Sequence, residues 1–244
     1  AEPGILGITG GAGVGAVVVV TGGLTAAAST SSILVGSTVG ALVAFACVYG
    51  LAWRGGLDAD RLVLIGIGFW YGSMALSTYL LVRSNPWDTP RLYTWLSGTT
   101  YGRSWDQVVP VAVALAVALP AAFVVRRELD LLALDEDTPR LVGVGLERVR
   151  LLVLTLSAVL TAMAVAAVGV VGFVGLVAPH MARALVGGKH ARSVPVAVLI
   201  GATLLGIADL VGRTVIAPAQ VPAGLVVALI GAPYFVFLLA RSRT

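Results

Sequence analysis

Residues 151–185 read LLVLTLSAVLTAMAVAAVGVVGFVGLVAPHMARAL and hold no Asp, Glu, Lys or Arg before Arg183. The first part, Leu151 to Val168, is apolar over a length close to one bilayer crossing, since a helix rises about 1.5 Å per residue and the hydrocarbon core is about 30 Å thick. A glycine-rich break follows over Gly169 to Gly175, then a short apolar piece from Leu176 to Leu185. So long an uncharged run is the mark of a membrane span. A break at that depth is tolerated only where protein or water satisfies the backbone. The stretch predicts an all-α polytopic membrane protein with one short broken helix near residues 176–185.

The sequence on either side repeats the pattern. Apolar runs cover Gly4 to Thr21, Ile33 to Trp53, Leu62 to Val82, Val108 to Val125, Val194 to Leu210 and Val221 to Ala240. With the two pieces above, the chain is expected to carry about eight transmembrane helices within a single transmembrane domain, 1–244. Between them lie a Trp-rich polar stretch, residues 84–107, and a charged segment, residues 126–150.

Composition agrees. Hydrophobic residues make up 58% of the 244 and charged residues 11%, against about 25% charged in ordinary soluble domains. Disorder is excluded, because it needs low hydrophobicity and high charge. The net charge of +4 is small and scattered, which speaks for topology rather than nucleic acid. Cys47 is the single cysteine, so no internal disulfide and no Cys-based metal site can form. Two histidines, His180 and His190, are too few for a His-rich cage, and no metal site is expected.

Lys and Arg collect in cytoplasmic loops. With Arg54 and Arg61 inside, the eight-crossing topology puts 12 basic residues inside and four (Arg83, Arg91, Arg103, Arg213) outside. Residues 84–107 then face outward and 126–150 inward.

Little in the sequence looks catalytic. Asp209 lies at the end of an apolar run with Arg213 four residues on, so the two share a helix face. That pair reads as an ion relay, a docking pair at the outer mouth, or a structural ion pair. A relay draws on several buried carboxylates, and the other 11 acids fall in loops or at ends. Gly187-Gly188-Lys189-His190 lacks the spacing and the Ser/Thr of a phosphate-binding loop. No Ser-His-Asp set, HExxH or carboxylate pair occurs. The chain is expected not to be an enzyme. Residues 126–150, RRELDLLALDEDTPRLVGVGLERVR, are richer than a linker needs, with Thr138-Pro139 suited to start a helix. The segment reads either as a docking surface for a cytoplasmic partner or as a solvated, positively charged loop. Gly7, Gly11 and Gly15, and likewise Gly36 with Gly40 and Gly68 with Gly72, have the spacing of close helix packing.

Several strings together resemble a known family. Gly172-Phe173-Val174-Gly175-Leu176-Val177-Ala178-Pro179-His180 with Arg183 resembles GFVGLxxPHxxR, typical of permease subunits of type II ABC importers for iron-siderophores, haem and cobalamin, the FecCD family. Gly187 to Arg192 is similar to its G-x-DHR loop, and Ala208 to Arg213 to its ADxxxR. Val221-Pro222-Ala223-Gly224 through Gly231-Ala232-Pro233-Tyr234-Phe235 resembles ElPvG…GaPxF. Ala1 to Gly7 is similar to LAEPGxLG, and Trp95-Leu96-Ser97-Gly98 to Trp105 to a periplasmic WxxGS…W stretch. The match runs through the whole chain in order. Three departures stand out: the family's two helices before the first string are missing, so a fragment is expected, Lys189 replaces an Asp, and Gln220 replaces a Glu.

The resemblance implies a multi-pass subunit of the bacterial inner membrane, surrounded by lipid, in a family with ten helices. It implies a second permease as homo- or heterodimer partner, cytoplasmic ATPase subunits that bind ATP and Mg, and an extracytoplasmic substrate-binding protein. No cofactor is expected on this chain. Leu134, Asp135, Asp137, Arg140, Leu141, Gly143 and Val144 match coupling helices that contact the ATPase. His180, Arg183, Gly187, His190 and Arg192 fall in a second cytoplasmic loop. Arg213 matches a residue that meets an acid of the binding protein, with Asp209 orienting it. The cargo implied is ferric siderophore first, then haem, then cobalamin. An ion- or proton-coupled secondary transporter is the alternative, and it needs ionisable residues at the midplane of several spans.

Overall fold

The structure is a computed structural model that describes residues 3–22, 30–53, 59–87, 89–132 and 146–241. The elements among the described residues are all helices: a 3-10 turn (Pro3–Leu6), α1 (Ile8–Thr21), α2 (Thr30–Ala52), α3 (Ala59–Arg83), α4 (Thr89–Leu96), α5 (Trp105–Val124), α6 (Arg126–Leu132), α7 (Leu146–Val168), α8 (Val174–Val186), α9 (His190–Thr214) and α10 (Ala223–Arg241). By length and composition α2, α3, α5, α7 and α9 can cross a bilayer, and α1, α8 and α10 are shorter apolar helices. Together these are the eight apolar segments the sequence predicts, five of them full-length.

Several hydroxyls inside the spans are satisfied locally. Ser37 Oγ donates to the Ile33 carbonyl at 2.7 Å, and Thr38 and Thr203 donate in the same way one turn back. Such bonds remove the cost of an unpaired hydroxyl in an apolar medium. Outward faces are strongly apolar: Leu64, Tyr71 and Met74 of α3 are exposed, while Leu62, Gly66, Ser73, Ser77 and Leu81 form its buried stripe. A surface of that kind belongs against lipid or a partner.

Two cores result. The larger joins α1, α2, α3 and α7 through Ile8, Ala12, Phe45, Val48, Leu62, Ala158 and Ala162. Its tightest seam is the α1–α2 crossing. A Cβ on Gly11 would sit 2.4 Å from the Gly40 carbonyl oxygen, and one on Gly15 would sit 2.1 Å from that of Gly36. Gly7 does something else: at φ 73 it is the left-handed residue that turns the chain into α1. Gly68 and Gly72 face open space. The smaller core packs α9 on α10 through Ala208, Ala223, Val226 and Val227, with Val171, Phe173 and Val174 against it.

The cores meet in a knot of backbone, at the end that the Lys/Arg count predicts to face outward. Thr99 N–H donates to the Val168 carbonyl at 2.7 Å and Gly224 N–H to that of Gly98 at 2.9 Å. A Cβ on Gly169 would lie 2.0 Å from the Trp95 carbonyl oxygen, and one on Gly224 2.2 Å from that of Ser97. Gly98 (φ 73) and Gly169 (φ 79) also need the left-handed region that glycine enters freely.

Two expectations change. Residues 84–107 are not simply a loop, because α4 lies within them and buries Leu92 and Trp95. Its two turns are too short to show as an apolar run. The segment matched to a second cytoplasmic loop is non-helical only at residues 187–189: His180 and Arg183 lie inside α8, and His190 and Arg192 open α9. Pro179 does not end α8, and Gly187 (φ 84) does.

Candidate functional site

An ion pair sits at each of the two ends of α9. At the C-terminal end of α9, the end predicted to face outward, Arg213 Nε donates to Asp209 Oδ2 at 2.8 Å, one turn apart. The other carboxylate oxygen accepts from Thr100 Oγ1, in the loop between α4 and α5. The Arg213 guanidinium lies 6.0 Å from the Tyr101 ring centroid. Asp209 is therefore held from both sides, and the Arg213 side chain remains 43% exposed, a cation presented by a fixed partner. Beside it, Arg103 Nε donates to the Thr99 carbonyl at 3.2 Å. Burial pushes the Arg103 pKa down, and the nearby Arg91 charge adds to that. Arg91, Arg103, Thr94 and Tyr101 line a cleft of about 410 Å³ over Trp95. The outer end is thus a positive surface on a rigid backbone.

At the N-terminal end of α9, the end predicted to face inward, Asp130 of α6 reaches the first residue of the helix. Its Oδ1 accepts from the His190 backbone N–H at 2.9 Å and lies 2.5 Å from His190 Nδ1. The backbone hydrogen bond, then the side-chain one, holds the Asp130 carboxyl below its usual range. Lys189 occupies the N-cap position of α9 and caps nothing with its side chain. A helix start leaves orphan N–H groups, and here one of them is met from another helix. Nearby, the Arg126 guanidinium stacks 3.8 Å over the Phe123 ring. His180 is exposed on α8, its ring edge-on to Tyr234 of α10 at 6.4 Å. Arg183 is exposed in the last turn of α8, where a cation suits the helix dipole. Arg192 is exposed in the first turn of α9.

Between the two cores lies a cavity of about 630 Å³, with Ile67, Trp70 and Tyr71 of α3 on one wall and Gly169–Gly175 and Leu205 on the other. Val174 opens α8 beside Gly201, close to the middle of α9. The broken backbone therefore descends to mid-depth along a cavity wall, where non-helical backbone is tolerated.

The structure thus brings Asp209 and Arg213 together, as their spacing predicts, and adds Thr100 and Tyr101. It pairs His190 with Asp130, which sequence reading passed over. The residues matched to coupling helices, Leu134, Asp135, Asp137, Arg140, Leu141, Gly143 and Val144, lie outside the described residues. No group of three or more His, Cys, Asp or Glu that could hold a metal occurs among the described residues.

Comparison with known proteins gives one picture. Residues 1–241 match the FecCD transport family. The chain is 39% identical to the "Probable siderophore transport system permease protein YfhA" of Bacillus subtilis, over all of this chain and 72% of that one. It is 38% identical to the achromobactin transport system permease protein CbrC of Dickeya dadantii, over all of this chain and 69% of that one. Among solved structures it is similar to a transporter described as an ABC transporter of the metal-chelate type, in an inward-facing conformation. The TM-score is 0.89 at 29% identity, covering 99% of this chain and 76% of the other.

Proposed function

The chain belongs to the FecCD transport family, and we propose that it is the permease subunit of an ATP-driven importer for ferric siderophores in the bacterial inner membrane. It is a multi-pass membrane protein by its apolar helices and its family. The observation that carries the cargo is likeness to siderophore permeases along the whole chain. In this reading the chain hydrolyses nothing itself and holds no cofactor. Cytoplasmic ATPase subunits hydrolyse ATP, a second permease completes the path, and an extracytoplasmic binding protein delivers the chelate.

The geometry supports a role for each end. Arg213, fixed by Asp209 and flanked by Arg91 and Arg103, suits an acidic patch on a binding protein, because complementary charge steers encounter and sets orientation. Residues 126–150 face the ATPases. ATP binding draws the ATPases together and moves that segment. The helices then rock, and outer and inner gates open in turn. The cavity between the cores, apolar with aromatic side chains, suits a bulky chelate passed along rather than tightly held. A secondary carrier fits less well: the described ion pairs sit at the helix ends, not at the midplane.

The test is ATP hydrolysis in nanodiscs holding the full-length permease and its ATPase, with substrate-loaded binding protein added or omitted. Hydrolysis should rise with the loaded binding protein. Arg213→Glu should remove that rise, and Gly143→Trp in the cytoplasmic segment should uncouple the ATPase. If no ATPase associates and hydrolysis ignores every component, the importer reading is wrong.

A further inference from the structure

Three observations converge on the inner end of α9. First, the helices divide into two packed groups, α1–α3 with α5 and α7, and α8–α10, each with its own core. Second, α6 against α9 is the substantial helix–helix contact that joins the groups among the described residues. Away from it, α5 and α9 leave a groove of about 350 Å³, lined by Leu119, Phe123, Val194 and Val198, with Arg126 and His190 at its α6 end. Third, the polar link across that contact is Asp130, bonded twice to His190.

The link is well placed to carry force. A single residue, Val125, separates α5 from α6, and Leu129 N–H donates back to the Val125 carbonyl at 3.0 Å, so α6 continues α5 round a tight corner. Beyond α6 the chain enters the segment that, on the function proposed above, meets the ATPase. Asp130 grips α9 partly by a backbone N–H, a bond that rotation of the His190 ring does not break. The far end of α9 carries Asp209 and Arg213. Lys189 leaves the cap position of α9 without a local acceptor, so the only described acceptor for the His190 N–H comes from the other group.

We propose that Asp130 is a positioning residue that tethers the ATPase-facing segment to α9, so that movement of that segment swings α8–α10 as a unit about the outer backbone knot. The inference rests on the importer reading. Its alternative is that Asp130 merely caps a helix. The groups around the link are Arg126, Arg127 and Glu128 on α6, Lys189 before α9, and Arg192 within it. The link concerns position, not protonation.

A rescue experiment separates tether from cap. In the nanodisc complex of full-length permease, ATPase and binding protein, hydrolysis is read as the ratio with and without loaded binding protein. Asp130→Ala should lower that ratio by about fivefold or more, the lower end of couplings between linked sites. It should also lower the Tm. Adding Lys189→Asp to Asp130→Ala supplies a cap within α9 itself. That double variant should recover the Tm and the hydrogen-exchange protection of residues 190–193 while the ratio stays low. Lys189→Ala alone controls for the lost lysine and should keep the ratio. Recovery of both Tm and ratio in the double variant would make Asp130 a cap only and overturn the tether. So would an unchanged ratio in Asp130→Ala. A wild-type complex that binds no ATPase would remove the importer reading and this inference with it.

Discussion

Arg213 and Asp209 form a one-turn ion pair whose carboxylate is locked on its far side by Thr100, in a different part of the chain. The arginine is therefore aimed by a residue that is itself pinned. In an exposed pair the ion–ion term contributes at most about 1 kcal/mol to stability, so the value of this arrangement lies in orientation. Arg213→Glu should lower the Tm by about 2–4 °C, because the lost pair contributes at most about 1 kcal/mol. It should weaken binding-protein affinity by about tenfold or more, mostly through slower association. Biolayer interferometry on nanodisc-held permease at two salt concentrations checks both parts, and the wild-type rate should fall as salt rises.

Thr100→Val tests the pin. The methyl group keeps the volume but removes the donor to Asp209 Oδ1. The expected cost is about 1.5 kcal/mol, the lower end for a hydrogen bond to a charged group, because the acceptor is only part-buried. Binding-protein affinity should fall in the same direction as in Arg213→Glu, by less. An unchanged affinity would mean that Arg213 needs no orienting partner.

The α1–α2 seam gives a packing prediction with an internal control. Gly15→Ala puts a methyl 2.1 Å from a carbonyl oxygen, so the helices must part. A loss of about 1–3 kcal/mol is expected, the usual range for overpacking. Gly72→Ala meets nothing within 4 Å and should be neutral or slightly stabilising, since alanine is the better helix former. Thermal unfolding in one detergent, side by side, decides the order.

The pH dependence of Asp130 follows from its lowered pKa. A carboxyl depressed in the folded state adds stability that is fully present above its unfolded pKa and is lost as pH falls through the folded value. The Tm gap between wild type and Asp130→Ala should therefore hold constant over the contribution of this carboxyl from pH 7 to 5. It should begin to close below about pH 4, the ordinary aspartate range. A gap that closes near pH 6 would point to another group.

The helices were legible because charge and glycine frame each apolar run, as at Arg54-Gly55-Gly56 and Gly187-Gly188-Lys189. The Asp209–Arg213 pair was legible because both residues ride on one helix at a four-residue spacing. Asp130 was not, because its partner is 60 positions away and is in part a backbone N–H, which leaves no mark in a sequence. Thr100 is hidden for the same reason, 109 positions from Asp209. The glycine pairs show the limit of spacing rules. Gly36–Gly40 and Gly68–Gly72 have the same spacing, and only the first lies against another helix.

The outer knot has a further consequence, for the order in which the protein is made. Its strands come from Gly98, from Gly169 and from Gly224. The ribosome adds about 5–20 residues per second, so the first loop waits several seconds at least for its last partner. Until Gly224 has left the ribosome, the carbonyl of Gly98 lacks its native donor. The knot is thus closed only when the start of α10 has emerged, and a chain cut short before α10 would present a bundle whose Gly98 carbonyl lacks its native donor.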